Sequence, residues 1–146
     1  MSSSMQGRLL VTAQFALVIA IAWPWTSASA SAAAVGLGLA GTAVGAWTLV
    51  HNRLGNFNIR PEPRATGHLV VTGPYRFVRH PMYVALLLLA AALVVAYAEA
   101  AKAGCLAALV AVLWGKTVLE ERGLRARYPE YAGYAQRVSR FIPGVL

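Results

Sequence analysis

From Leu9 to Val50 the chain carries no Asp, Glu, Lys or Arg. A bilayer-spanning helix needs about 20 apolar residues, so this run has room for two. The small residues at 27–31 divide it, which predicts spans over residues 9–25 and 32–50 with a tight external turn between. Residues 81–98 form a third apolar run, about 27 Å of helix. Residues 103–119 form a fourth, after an external turn at 99–102. The stretch 51–79 between the two pairs is polar and punctuated by Pro61, Pro63, Gly67, Gly73 and Pro74. It predicts turns and short pieces, with Leu69-Val70-Val71 as a small apolar patch for the bilayer or a ligand. Past residue 119 the last helix is expected to run on through Glu120, Glu121 and Leu124 until Pro129 interrupts it. Tyr131, Tyr134, Val138 and Phe141 then recur at the spacing of one face of an amphipathic helix. Gln136, Arg137 and Arg140 fall on its other face, and Ile142-Pro143 ends it.

The expected fold is therefore all-α. A single polytopic membrane domain over 1–146 has four transmembrane helices and a C-terminal cytoplasmic amphipathic helix. Local signals agree. Trp23-Pro24-Trp25 are the aromatics expected at a headgroup layer. Pro81 suits the first turn of a helix, where its missing N–H has no partner to lose. Gly38, Gly41, Thr42 and Gly45 put small residues on one face of the second span, and packing within the chain is favoured over a dimer seam. Arg8, the apolar stretch after it and Ala28-Ser29-Ala30 also have the layout of a cleaved signal peptide. Cleavage would spoil the even span count.

The composition, 58% hydrophobic and 12% charged, sets the chain apart from soluble domains, where about a quarter of residues are charged. The net charge of +8 gains meaning from its placement. Arg53, Arg60, Arg64, Arg76 and Arg79 lie between the second and third spans. Lys116, Arg122, Arg125, Arg127, Arg137 and Arg140 lie at or beyond the end of the fourth, where Lys116 can snorkel to the headgroups. Arg8 precedes the first, and only Lys102 falls elsewhere. The positive-inside rule makes that side, and both termini, cytoplasmic. A multi-pass protein of a bacterial inner membrane is expected. Arginines tied to membrane edges argue against nucleic acid. The lone Cys105, in an apolar run, makes neither an internal disulfide nor a metal site.

The densest polar chemistry is Gly73-Pro74-Tyr75-Arg76-Phe77-Val78-Arg79-His80-Pro81-Met82-Tyr83. The second cluster is Glu120-Glu121 with the segment after it. Antiparallel third and fourth spans bring these ends together into one pocket, open to the cytosol and flanked by lipid. His80 and Tyr83 share a helix face. A helix start favours an anionic group, arginines fork onto carboxylate or phosphate, glutamate accepts from an ammonium or a hydroxyl, and tyrosines stack on a purine. The set suits a zwitterionic nucleoside such as S-adenosyl-L-methionine, enclosed between His80 and Glu121. Each part also has a plainer reading. His80 is then a helix cap, Glu120-Glu121 a surface ion-pair cluster, and the tyrosines an interfacial stripe.

The block from Gly73 to Tyr83, Glu120-Glu121-x-x-Leu124, and Glu130-Tyr131-x-x-Tyr134-x-x-Arg137-Val138 together resemble the isoprenylcysteine carboxyl methyltransferase family. Its wider group includes phospholipid N-methyltransferases and, more distantly, membrane sterol reductases. The resemblance covers roughly residues 50–143. It implies a small helical membrane enzyme that binds S-adenosyl-L-methionine and methylates a lipophilic acceptor entering from the bilayer. Tyr75, His80, Pro81, Tyr83, Glu121, Tyr134 and Arg137 fall on cofactor-side positions. Arg79 and Glu120 are the candidate catalytic residues, and Arg79 and Arg137 match arginines able to hold the cofactor carboxylate or the acceptor. Tyr128-Pro129 stands where the family often has Phe-Gly, which bears on the acceptor more than on the cofactor. A prenylcysteine-like carboxylate is the favoured acceptor, with a phospholipid amine or a small thiol as alternatives. For an amine, Glu120 or His80 would be the base. A reductase using a phosphorylated nicotinamide nucleotide and a non-enzymatic lipid-binding module are the competing readings. No metal is expected, and the protein is expected as a monomer or a homodimer.

Overall fold

A computed structural model describes residues 3–24, 26–52 and 68–145. The described residues form five α-helices: α1 (Ser3–Ala22), α2 (Ala32–Asn52), α3 (Pro81–Tyr97), α4 (Ala100–Arg127) and α5 (Tyr131–Arg137). A short 3-10 turn, Gly73–Arg76, precedes α3. The expectations for Trp25, Arg53, Arg60, Pro61, Pro63, Arg64 and Gly67 lie outside the described residues. Three helices, α1, α2 and α4, are long and apolar enough to cross a membrane, and α3 is a shorter apolar helix of 17 residues.

The helix limits follow from local chemistry. Pro81 opens α3 as expected. Ala98 closes it in the left-handed region at φ 52°, its N–H on the carbonyl of Val94. α4 starts two residues later, so the turn expected at 99–102 shrinks to Ala98 and Glu99. Lys102 therefore lies inside α4 and is 1% exposed. Its Nζ donates to the carbonyl oxygens of Ile21 at 2.7 Å and Trp23 at 2.6 Å and sits 4.2 Å from the Tyr97 ring centroid. The last carbonyls of a helix lack intrahelical partners, and in apolar surroundings a buried ammonium satisfies them.

α2 packs along α3 through its small residues. A Cβ on Gly41 would lie 3.0 Å from the Ala85 carbonyl oxygen and 3.0 Å from the Leu89 nitrogen. Gly45 and Gly38 face the methyls of Ala85 and Ala92. The small-residue face thus serves packing within the chain, where close backbone approach multiplies van der Waals contact. α1 packs against α4, and Ile21, Ala90, Leu109 and Leu113 form the buried core where α1, α3 and α4 meet.

α4 runs unbroken past Glu120 and Glu121 to Arg127, as the sequence predicts, and the chain turns at Tyr128-Pro129. Two expectations fail at this end. Lys116 does not snorkel outward. It is 1% exposed and donates to Gln14 Oε1 of α1 at 2.6 Å, because an amide acceptor stands within the bundle. The expected helix through Phe141 stops at Arg137. Val138 is extended, and Ser139 makes a parallel bridge with Val78. The N–H groups of Arg79 and His80 donate to the carbonyls of Ser139 at 2.8 Å and Arg140 at 3.2 Å. The loop ahead of α3 cannot pair within a helix, and this returning segment supplies its acceptors.

Candidate active site

The site forms where the start of α3 meets the far part of α4. Gly73 sets the approach. It adopts φ +58°, and a Cβ there would lie 2.6 Å from the His51 ring. Only glycine meets both conditions. His51 Nε2 pairs with Thr72 Oγ1 at 2.9 Å, which ties the turn to the end of α2.

Glu121 is the hub. Its carboxylate is 3% exposed. Oε1 accepts from Arg79 Nε at 3.0 Å, Arg140 Nε at 2.9 Å and His80 Nε2 at 3.2 Å. Oε2 accepts from Arg140 Nη2 at 3.2 Å and lies 3.9 Å from Arg125 Nη2. Burying a carboxylate is unfavourable unless it is paired and hydrogen-bonded, and here both conditions are met. Arg79 also donates through Nη1 to the carbonyls of Ala135, at 2.8 Å, and Val138. One guanidinium thus fastens α5 and the segment after it to α4.

His80 joins the paired glutamates, with Nε2 on Glu121 and Nδ1 3.4 Å from Glu120 Oε2. Burial disfavours its charged form. The hydrogen bonds and charges of Glu120 and Glu121 outweigh that and raise its pKa above the usual histidine value. Its ring stacks on Tyr83 at 5.6 Å and 9°, and Tyr83 donates its hydroxyl to Glu120. Tyr134 donates to the carbonyl of Tyr75 at 2.6 Å, which holds the 3-10 turn against α5. Burial, and secondly the charge of Glu120, push the Tyr75 phenol up to about 12.

The fold therefore brings Tyr75, Arg79, His80, Pro81, Tyr83, Glu120, Glu121 and Tyr134 to one end of the bundle. His80 and Glu121 touch directly, leaving no room for a ligand between them. Arg137 is exposed at the end of α5. Arg140 occupies Glu121, and its guanidinium carbon lies 4.6 Å from the Trp114 ring centroid. A place on the polar face of an amphipathic helix does not predict this contact for Arg140. Locally, only β-branched Val138 and the later Pro143 weakly disfavour a continued helix; the acceptors needed by the N–H groups of Arg79 and His80 decide it. Tyr131, to which the sequence motif gives no site role, lies within the influence of Glu121 and Arg79. Its hydroxyl is buried and, among the described residues, is the one buried side-chain polar atom with no hydrogen-bond partner. Burial first, then the charge of Glu121, raise its pKa, so it is a neutral donor. Among the described residues no cluster of His, Cys, Asp or Glu is arranged to hold a metal ion.

A sequence model of phospholipid methyltransferases matches residues 31–131, from just before α2 to the first residue of α5. The chain belongs to the phospholipid methyltransferase family. This agrees with the wider group to which the glycine-proline, histidine-proline and paired-glutamate blocks point. A relative is the cobalt-zinc-cadmium resistance protein CzcN of Cupriavidus metallidurans, 36% identical over 81 residues. That match takes in 55% of this chain and 38% of the relative's length. No solved structure matches. The family's stretch holds Glu120, Glu121 and every residue from Tyr75 to Tyr83. Gln14 of α1 and Arg140 of the tail lie outside it.

Proposed function

We propose that the chain is an integral-membrane methyltransferase that uses S-adenosyl-L-methionine and modifies a lipophilic acceptor entering from the bilayer. α1 to α4 are its four spans, both termini and the site face the cytoplasm, and α5 with the tail after it covers the site. The observation that carries this reading is the orphaned Tyr131 hydroxyl beside a saturated charge cluster. A buried donor without a partner is unfavourable by about 1–3 kcal/mol, and an oxygen-bearing ligand relieves it.

The residues present fit that cofactor. Arg140, whose side chain is 21% exposed, and Arg137, exposed at the end of α5, suit a carboxylate. Glu120, the more open of the paired glutamates, suits an ammonium. Tyr75 and Trp114 offer aromatic surface to a base, and the buried Tyr134 holds the Tyr75 turn in place. When bound, the cofactor supplies a methyl group on a sulfonium, and an acceptor's lone pair takes it while the thioether leaves. The protein's task is to align donor and acceptor and exclude water. Tyr83 and His80 hold Glu120, and Arg79 fixes the covering segment. The guanidiniums of Arg79, Arg125 and Arg140 outnumber the carboxylates of Glu120 and Glu121. This favours an anionic acceptor, a prenylcysteine-like carboxylate, which needs no base. The family description favours a second reading, a phospholipid amine, for which Glu120 would take the proton.

Purified protein with labelled cofactor, offered a prenylcysteine and phosphatidylethanolamine in parallel, tests the reading. Expected is label in the prenylcysteine ester, lost in Glu120→Gln and reduced in Tyr131→Phe. Label in neither lipid, with no thermal shift from S-adenosylhomocysteine, would overturn it.

A further inference from the structure

α1 precedes the family's matched stretch, yet it reaches the site. Gln14, in the middle of α1, accepts from Lys116 Nζ at 2.6 Å. The same ammonium lies 5.1 Å from the Tyr83 ring centroid. Tyr83 in turn stacks on His80 and donates its hydroxyl to Glu120. Lys116 is one turn before Glu120 on α4, so the two share a face. A lysine placed here for charge alone would extend to the headgroups. This one is almost fully buried, and burying an ammonium is unfavourable unless it is paired, so its contacts with Gln14 and the Tyr83 ring hold it in one place.

We propose that Gln14 and Lys116 are positioning residues of the methyl-transfer site. The amide of α1 fixes the ammonium, the ammonium fixes the plane of Tyr83, and Tyr83 fixes the carboxylate of Glu120. α1 is thereby a working part of the active site as well as a span. Because Glu120 has its nearest fixed neighbours in Tyr83 and His80, loosening Tyr83 lets the carboxylate turn without disturbing Glu121, which Arg79 and Arg140 hold separately.

This rests on the methyltransferase reading, and the test separates the two. Gln14→Leu, Lys116→Met and Lys116→Arg are compared with the parent protein for kcat, KM for the cofactor, S-adenosylhomocysteine affinity and thermal midpoint. The ring signal of His80 is followed by NMR without cofactor. A misplacement of about 1 Å lowers a rate by up to about 100-fold. Gln14→Leu and Lys116→Met are therefore expected to lower kcat about 10- to 100-fold and, because Glu120 also faces the cofactor ammonium, to weaken S-adenosylhomocysteine binding by a clearly smaller factor. Both are expected to shift the His80 signal. Lys116→Arg, which keeps a cation over the ring and a donor for Gln14, retains most of kcat and the parent signal. Folded Lys116→Met with parental kcat and an unmoved His80 signal would overturn the proposal while leaving the enzyme reading intact. So would a loss matched in full by weaker cofactor binding, or one that Lys116→Arg fails to rescue. A parent protein that neither binds the cofactor nor transfers a methyl group overturns both.

Discussion

Arg140 closes the tail onto Glu121 with two hydrogen bonds, Nε to Oε1 at 2.9 Å and Nη2 to Oε2 at 3.2 Å. A residue beyond the last helix thus completes the coordination of a carboxylate buried in α4. The paired guanidinium geometry explains why arginine and not lysine stands there.

Removing the charge at the hub leaves Arg79 and Arg140 facing a neutral amide. Breaking a buried ion pair from one side costs about 3–5 kcal/mol. Glu121→Gln should lower unfolding stability in detergent by that order. Glu120→Gln, at the more open carboxylate, should unfold near the parent value and lose activity instead. Equal stability loss in the two would show that Glu121 is not the hub.

Gly73→Ala meets two obstacles, a left-handed backbone and the His51 ring. It should destabilise the protein by more than the ~1 kcal/mol expected of backbone strain alone. In a His51→Ala background the penalty should fall, since only the strain remains. A double-mutant cycle in chemical unfolding measures the difference.

Along α2 the glycines should separate by what they face. Gly41→Ala pushes a methyl against the backbone of α3 and should cost about 1–3 kcal/mol. A Cβ on Gly36 meets nothing within 4 Å. Gly36→Ala should be neutral or stabilising by up to about 1 kcal/mol, from helix propensity alone. Thermal midpoints of the two variants give the comparison.

Stability should respond to the His80 proton. The ring's pKa is raised in the folded state from 6.5. Its contribution is then fully present below pH 6.5 and fades as pH rises through the folded value. The protonated ring donates from both nitrogens, to Glu120 and Glu121, and deprotonation removes one donor. Midpoints of the parent and of His80→Gln should therefore converge as the pH rises from about 6.5. A gap that stays constant or widens would contradict the assignment.

The long uncharged runs, Pro81 and Pro129 made the helices legible, because helix length and proline chemistry are local. The meeting of His80 with Glu121 was also legible, since a short connection brings the ends of α3 and α4 together. Three features were not, and each depends on a distant partner. Lys102 and Lys116 read as interfacial because nothing near them in sequence shows the carbonyls of Ile21 and Trp23 or the amide of Gln14. Val138 to Phe141 read as helix because their spacing fits one, while the decisive acceptors were needed by Arg79 and His80 on the far side of the chain. Tyr131 gave no sign of its unpaired hydroxyl, which exists only once α5 is docked.

The bond from Lys102 to the end of α1 has a consequence for assembly. The carbonyls of Ile21 and Trp23 wait for a residue 81 and 79 positions further along the chain. Among the described helices, the end of α1 is thus completed only by α4, which is made later. Until α4 arrives, that end of α1 stays frayed or hydrated, and a truncated chain lacking the fourth helix should keep it open to proton exchange.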